Sequence, residues 1–200
     1  ALDRTWNYLC AKHGAKYIRQ PIRFPLTSKE DFINQFFTGF TGKTKAIFIS
    51  HITSATALIL PVKEICEEAK RRGVITIVDG AHVPGHLPLN LHELKADFYT
   101  GACHKWMMTP KGCSFLYAKR EFQSMLDPLV ISWGYESENP SGSTFIDYHE
   151  FNGTRDFSAC LTVPAAIEFM RVHQWDNVAK ACRDMVREWA PRFCDVADTE

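Results

Sequence analysis

The chain has 200 residues, 46% of them hydrophobic, with 23 basic residues set against 23 acidic ones. That suits a globular protein of one domain, or of one domain and part of another. Zero net charge argues against nucleic acid or an anionic membrane as a partner, and no apolar run nears the roughly 20 residues that span a bilayer.

"ALDRTWNYLCAKHG" predicts an amphipathic helix stopped at Gly14, followed by a short β segment around Tyr17 to Pro21. In "TSKEDFINQFF", Ser28 is placed to cap a second helix whose first turn is acidic. "KAIFIS" is a continuous apolar run and predicts a buried strand. "PVKEICEEAKRRG" opens with proline and closes with glycine, as helices do. "VITIVDG", "ADFYTG" and "CSFLYAKR" predict three more strands. From "LTVPAAIEFMRV" to "RDMVREWAPRF" the pattern is helical, with a break near Gln174 to Asp176. Strand, helix, strand over residues 45–79 predicts a right-handed crossover in a mostly parallel sheet. The later strands follow closely, so the sheet is expected to be mixed. The chain begins and stops beside helical patterns, without an initial methionine, so both ends read as cuts in a longer enzyme.

Seven cysteines, an odd set without a C-x-x-C pair, read as free thiols of a reducing cytosol and point to a cytoplasmic protein. His82 and His86 are four apart in "HVPGH", but Pro84 and Gly85 break the helix that would align them, so no metal site is expected. Cys103, with no base motif beside it, reads as a small packing residue.

In parallel sheets chemistry gathers at the carboxyl ends of strands. Those ends carry "SHITS", "DGAH" and "CHK". Asp79 closes an apolar strand, where a carboxylate either shapes the turn before Gly80 or faces a ligand group that must stay protonated. Lys105 in "GACHKWMM" is either an exposed loop residue or, given its apolar flanks, a partly buried amine nucleophile. A carboxylate on one strand end and an amine on a later one suit pyridoxal phosphate. The amine carries the cofactor, and the carboxylate keeps the pyridine nitrogen protonated so that the ring accepts electrons.

With its neighbours, "TIVDGAHVPGHLPLNLHELKADFYTGACHKWMMTPKGCSFLYA" resembles the core of class V aminotransferases, pyridoxal-phosphate enzymes of the type I fold. "SHITSATALILPV", "HKW" with "PKG", and "FNGTRDFSACLTVPAAIEF" are most similar to the isopenicillin N epimerase-like branch. The resemblance implies a three-layer α-β-α sandwich with a mostly parallel mixed sheet. Residues 1–160 would belong to the large cofactor-binding domain, and 161–200 would lead toward a C-terminal small domain. It also implies a homodimer with a shared active site.

By the same resemblance, Lys105 is the Schiff-base lysine and Asp79 the partner of the pyridine nitrogen. His82 takes the place of the residue that hydrogen-bonds the phenolic oxygen, and His104 that of a phosphate contact. Thr53 and Ser54 stand near ring and substrate, and Thr154 reaches the phosphate of the neighbouring subunit. Arg155 either binds a substrate carboxylate or pairs with Asp156 as a structural ion pair. One departure is that Ala102 occupies the place of a phosphate-binding serine found in the desulfurase branch, with Thr100 as its substitute. The family's ring-stacking residue and substrate-carboxylate arginine are expected in segments outside these residues. The implied function is a pyridoxal-phosphate enzyme acting at the Cα of an amino-acid-like substrate, epimerase-like. The alternatives are a cysteine desulfurase or carbon–sulfur lyase, and a catalytically silent relative with a binding role.

Overall fold

The computed structural model describes residues 2–198. Its sheet has four strands in the order β1 (Ala46–Ser50), β2 (Ile75–Asp79), β3 (Phe98–Ala102) and β4 (Ser114–Ala118). The first three are parallel and the fourth returns antiparallel, as expected from the short chain between β3 and β4. This is an α/β fold with a mostly parallel mixed sheet.

Helix α1 (Leu2–Lys12) precedes the sheet, and α2 (Lys29–Phe37) is capped by Ser28, whose hydroxyl accepts from the Asp31 N–H at 3.1 Å. α3 (Val62–Arg71) makes the β1–β2 crossover and buries Val62, Ile65, Cys66 and Ala69. These meet Ile47, Ile49, Val78 and Tyr99 from alternate positions of the strands, which forms the core on one sheet face. On the opposite face Trp6 of α1 lies against Phe48, with ring centroids 5.8 Å apart.

Between β2 and β3 a single turn, α4 (Leu91–Leu94), is capped by Asn90 and ended by Lys95 in the left-handed conformation. After β4 come a 3-10 turn at Arg120–Met125, α5 (Thr144–Glu150), α6 (Ser158–Leu161), α7 (Val163–Val172) and the long α8 (Trp175–Ala197). The break between α7 and α8 falls at His173–Gln174, close to its expected place.

One expectation fails. Tyr17 to Pro21 forms no strand. Pro21 has no N–H for a ladder, and side chains around α2 take up the neighbouring polar groups. The Gln20 amide donates to the Thr38 hydroxyl at 2.8 Å, and the Arg23 N–H donates to Gln35 at 2.7 Å.

The register places Ser50, Asp79 and Thr100 side by side across β1, β2 and β3. They form a polar row at the carboxyl edge, on the face away from the α3 core. At the other end, Asp97 accepts from the Thr76 N–H and hydroxyl and receives Lys119 at 2.6 Å. The sheet is thus tied together at its lower edge.

Candidate active site

Lys105 and His82 meet at the carboxyl edge, Lys105 Nζ lying 2.9 Å from His82 Nε2. They come from two different loops, the turn after β3 and the turn after β2. On the second ring nitrogen, the Trp106 indole N–H donates to His82 Nδ1 at 3.4 Å. Burial lowers the His82 pKa, the nearby Lys105 charge lowers it further, and Asp79 acts in the opposite sense. The imidazole is therefore neutral near pH 7.

Asp79 ends β2, and its Oδ1 accepts from the Ala81 N–H at 3.0 Å. One oxygen therefore shapes the turn, as the first reading of this carboxylate has it, and Oδ2 has no hydrogen-bond partner among the described residues. Gly80 follows because nothing larger fits. A Cβ there would stand 2.0 Å from the phenol of Tyr99, which is fully buried beneath it. The Tyr99 hydroxyl lies 3.1 Å from His51 Nδ1, just beyond β1. Burial, and then the Asp79 charge, push the Tyr99 pKa up, while burial pushes that of His51 down. Both stay neutral, forming a polar but uncharged support under the Asp79 turn.

The loop carrying His82 is held from several sides. His86 Nδ1 lies 3.3 Å from the His82 carbonyl oxygen, and the His86 and Trp106 rings pack at 4.9 Å. From α8, the Trp175 indole donates to the Gly85 carbonyl at 2.8 Å and Arg183 to the His86 carbonyl at 3.0 Å. Gly85 has a φ of +79°, and a Cβ would lie 2.4 Å from the Trp106 carbonyl oxygen. Gly85→Ala is expected to cost about 2–3 kcal/mol, from left-handed strain plus the clash. Gly73→Ala is the control, with a φ of +67° but nothing within 4 Å of the added carbon. It should cost only about 1 kcal/mol, and urea-unfolding midpoints of the two variants read the difference.

The other sequence-derived candidates lie around this centre in different ways. Thr100 is exposed and in register with Asp79. The His104 ring uses Nδ1 on the Cys113 carbonyl at 2.8 Å, which leaves Nε2 for a ligand. The Thr53 hydroxyl is engaged locally, with Thr56 at 2.6 Å and the Leu58 N–H at 2.9 Å, and Ser54 is exposed beside it. Thr154 and Arg155 are exposed in the turn between α5 and α6. The Arg155–Asp156 ion pair does not form. Asp156 accepts from the Ser158 N–H at 2.8 Å, while the Arg155 guanidinium covers the Phe157 ring at 4.9 Å. Cys103 is buried, as a packing residue would be.

Sequence reasoning passed over Trp106 as an apolar flank, and it missed the His51–Tyr99 pair. Histidine in "SHITS" at a strand end was a usable signal. No local pattern pointed to Tyr99.

An amine, an imidazole and a carboxylate thus stand at the carboxyl edge of a mostly parallel α/β sheet, the edge at which such sheets generally bind ligands. The family model for aminotransferase class-V matches residues 4–195, and the chain belongs to that family. It is 39% identical to isopenicillin N epimerase from Amycolatopsis lactamdurans, over 82% of this chain and 44% of the relative. It is 32% identical to putative L-cysteine desulfhydrase 1 from Oryza sativa subsp. japonica, over 85% of this chain and 36% of the relative. A cysteine desulfurase structure from Thermococcus onnurineus NA1 superposes with a TM-score of 0.67 at 22% identity, covering 92% of this chain and 48% of that one. The chain thus spans about half the length, or less, of these relatives.

Proposed function

We propose that this chain supplies the cofactor-binding centre of a pyridoxal-phosphate enzyme acting at the Cα of an amino-acid substrate, of the isopenicillin N epimerase kind. The observation that carries this reading is the 2.9 Å contact of Lys105 Nζ with His82, next to the strand end that bears Asp79. The donor set fits the group. It offers one primary amine, a carboxylate with an oxygen to spare, a neutral imidazole, and a second imidazole whose Nε2 is free.

In this reading Lys105 holds the cofactor and Asp79 meets the pyridine nitrogen. His82 meets the phenolic oxygen, and His104 and Thr100 the phosphate. When bound, the cofactor supplies a cationic ring that accepts the electron pair of a broken Cα bond. The Lys105 amine would also be the base placed to take the proton from the substrate Cα. His51 and Tyr99 hold the Asp79 turn in place without adding charge to it. Thr53, Ser54 and Arg155 are assigned to the substrate side, and Thr154 to the phosphate of a second subunit in a homodimer. Residues 1–160 belong to the large domain, with 161–200 leading to a further one, and the protein works in the cytoplasm.

Support for epimerisation over carbon–sulfur cleavage is the higher identity to the epimerase, 39% against 32% for the desulfhydrase. The test incubates the full-length protein in deuterated water, with isopenicillin N and separately with L-cysteine. Deuterium at Cα with loss of optical purity supports the epimerase reading. Sulfide release from cysteine without that exchange replaces it with the lyase. No change in either substrate, from protein that takes up no pyridoxal phosphate, overturns the enzyme reading.

A further inference from the structure

A helix that docks by an apolar stripe buries that stripe. α8 does not, since none of its described residues is buried. Between Trp175 and Phe193 only Trp175, Ala179 and Arg183 are partly covered, and every other residue is exposed. Spaced at i, i+4 and i+8, these three share one face of the helix. Both polar members of that face direct their donors to the same short piece of backbone. The Trp175 indole donates to the Gly85 carbonyl at 2.8 Å, and the Arg183 guanidinium to the His86 carbonyl at 3.0 Å.

That piece of backbone belongs to the turns that carry His82. The Val83 N–H donates to the Gly80 carbonyl, and the His86 and Leu87 N–H groups both donate to that of Val83. Residues 80–87 therefore form one hydrogen-bonded unit around the fully buried Val83. His86 Nδ1 also lies 3.3 Å from the His82 carbonyl oxygen. On its other side the unit meets the loop of Lys105, because a Cβ on Gly85 would stand 2.4 Å from the Trp106 carbonyl oxygen. α8 thus grips the molecule where both loops of the candidate site come together.

We propose that Trp175 and Arg183 are positioning residues that hold the backbone of Gly85 and His86 and thereby keep His82 against Lys105. They act through the main chain of the loop. A shift of α8, which lies in the stretch assigned above to the passage into a further domain, would then be felt at His82. The consequence for catalysis rests on the pyridoxal-phosphate reading, whereas the placement of His82 is a property of the protein alone.

The position of His82 can be read from its own titration. Burial and then the Lys105 charge lower its pKa, Asp79 opposes them, and His86 adds to the lowering. Arg183 is the charged residue that α8 brings to this loop. A ring that swings away from Lys105 into solvent loses both main lowering effects and takes up its proton more readily.

The test follows the histidine signals of the full-length, cofactor-free protein through a pH titration by NMR, with His82→Gln used for assignment. In Trp175→Phe and in Arg183→Met the proton affinity of His82 should rise at least about threefold, or about half a pH unit. Amide exchange at Val83, His86 and Leu87 should quicken at least about fivefold in both, the change expected when a hydrogen bond of ordinary net strength is lost. Trp175→Phe removes a donor without altering charge. A rise confined to Arg183→Met would therefore be the field of the lost guanidinium, and it overturns the proposal. So does faster exchange with an unchanged His82 titration, which is what a merely structural anchor for α8 would give. If Trp175→Phe does not fold, the benzothienyl analogue of Trp175, which lacks only the N–H, decides in its place. Failure of the cofactor reading would appear separately, as wild-type protein that takes up no pyridoxal phosphate while His82 titrates as expected.

Discussion

Lys105→Ala is expected to lower turnover by at least about 10²–10⁴-fold, the usual worth of a positioned proton-transfer group. It should also abolish covalent retention of the cofactor after borohydride. The choice of this lysine rests on its partner. Lys29, Lys95, Lys119 and Lys180 each face a carboxylate, in ion pairs with Glu64, Glu67, Asp97 and Asp184. Lys105 instead faces an uncharged imidazole nitrogen at 2.9 Å. A carboxylate partner would hold an ammonium, whereas a neutral imidazole can either give or take a hydrogen bond. Mass spectrometry of the reduced wild type should place the added cofactor mass on the peptide containing Lys105. A variant that still fixes the label on reduction would remove Lys105 from this role. Added small primary amines should restore part of the variant's turnover, because the neighbouring His82 and Asp79 remain to receive them. Lys105→Arg, which keeps the charge without a nucleophilic amine, should not be restored in the same way.

The strands were legible because buried parallel strands are written as unbroken apolar runs, and "AIFIS" and "ITIVD" leave little else to form. Asp79 could be read because a carboxylate at the end of such a run is costly without a partner. The α2 cap at Ser28 and the break before Trp175 were equally local, since each depends on a few neighbouring residues. Tyr17 to Pro21 misled because strand formation needs a neighbouring strand to pair with, and none comes alongside. The contacts that complete the site are non-local. Trp106 reaches His82 only because Gly85 turns the chain back with a positive φ, and Tyr99 reaches His51 only because Gly80 leaves room above its ring. A periodic reading of one segment has no access to either condition. The resemblance to a known family singled out Lys105, His82 and Asp79, but it did not point to the indole beside His82.

Asp97→Ala is expected to cost about 3–5 kcal/mol of stability, the range for removing one partner of a buried ion pair. For a chain of this size that is on the order of 10 °C in the melting temperature. Asp97 is 9% exposed, and its two oxygens serve three donors. Oδ2 accepts from the Thr76 N–H at 2.8 Å and from the Thr76 hydroxyl at 2.9 Å, and Oδ1 accepts from Lys119 at 2.6 Å. The Asp97 N–H returns a bond to the Thr76 hydroxyl at 2.8 Å, so β2 and the start of β3 are tied side chain to backbone in both directions. Truncation strands the Thr76 N–H and leaves a lysine whose side chain is only 19% exposed without its counter-charge. Lys119→Met should cost less, about 1–2 kcal/mol, because the Asp97 carboxylate keeps both Thr76 donors. Combining the two changes should cost less than their sum, since the stranded ammonium is gone. Strict additivity in that double-mutant cycle, measured by urea unfolding, would show that Lys119 and Asp97 are not coupled. The lock lies at the end of the sheet opposite Asp79 and Lys105. The folded fraction of Asp97→Ala should therefore keep its borohydride-fixable cofactor while melting earlier, which separates the stability of the sheet from the chemistry at its far edge.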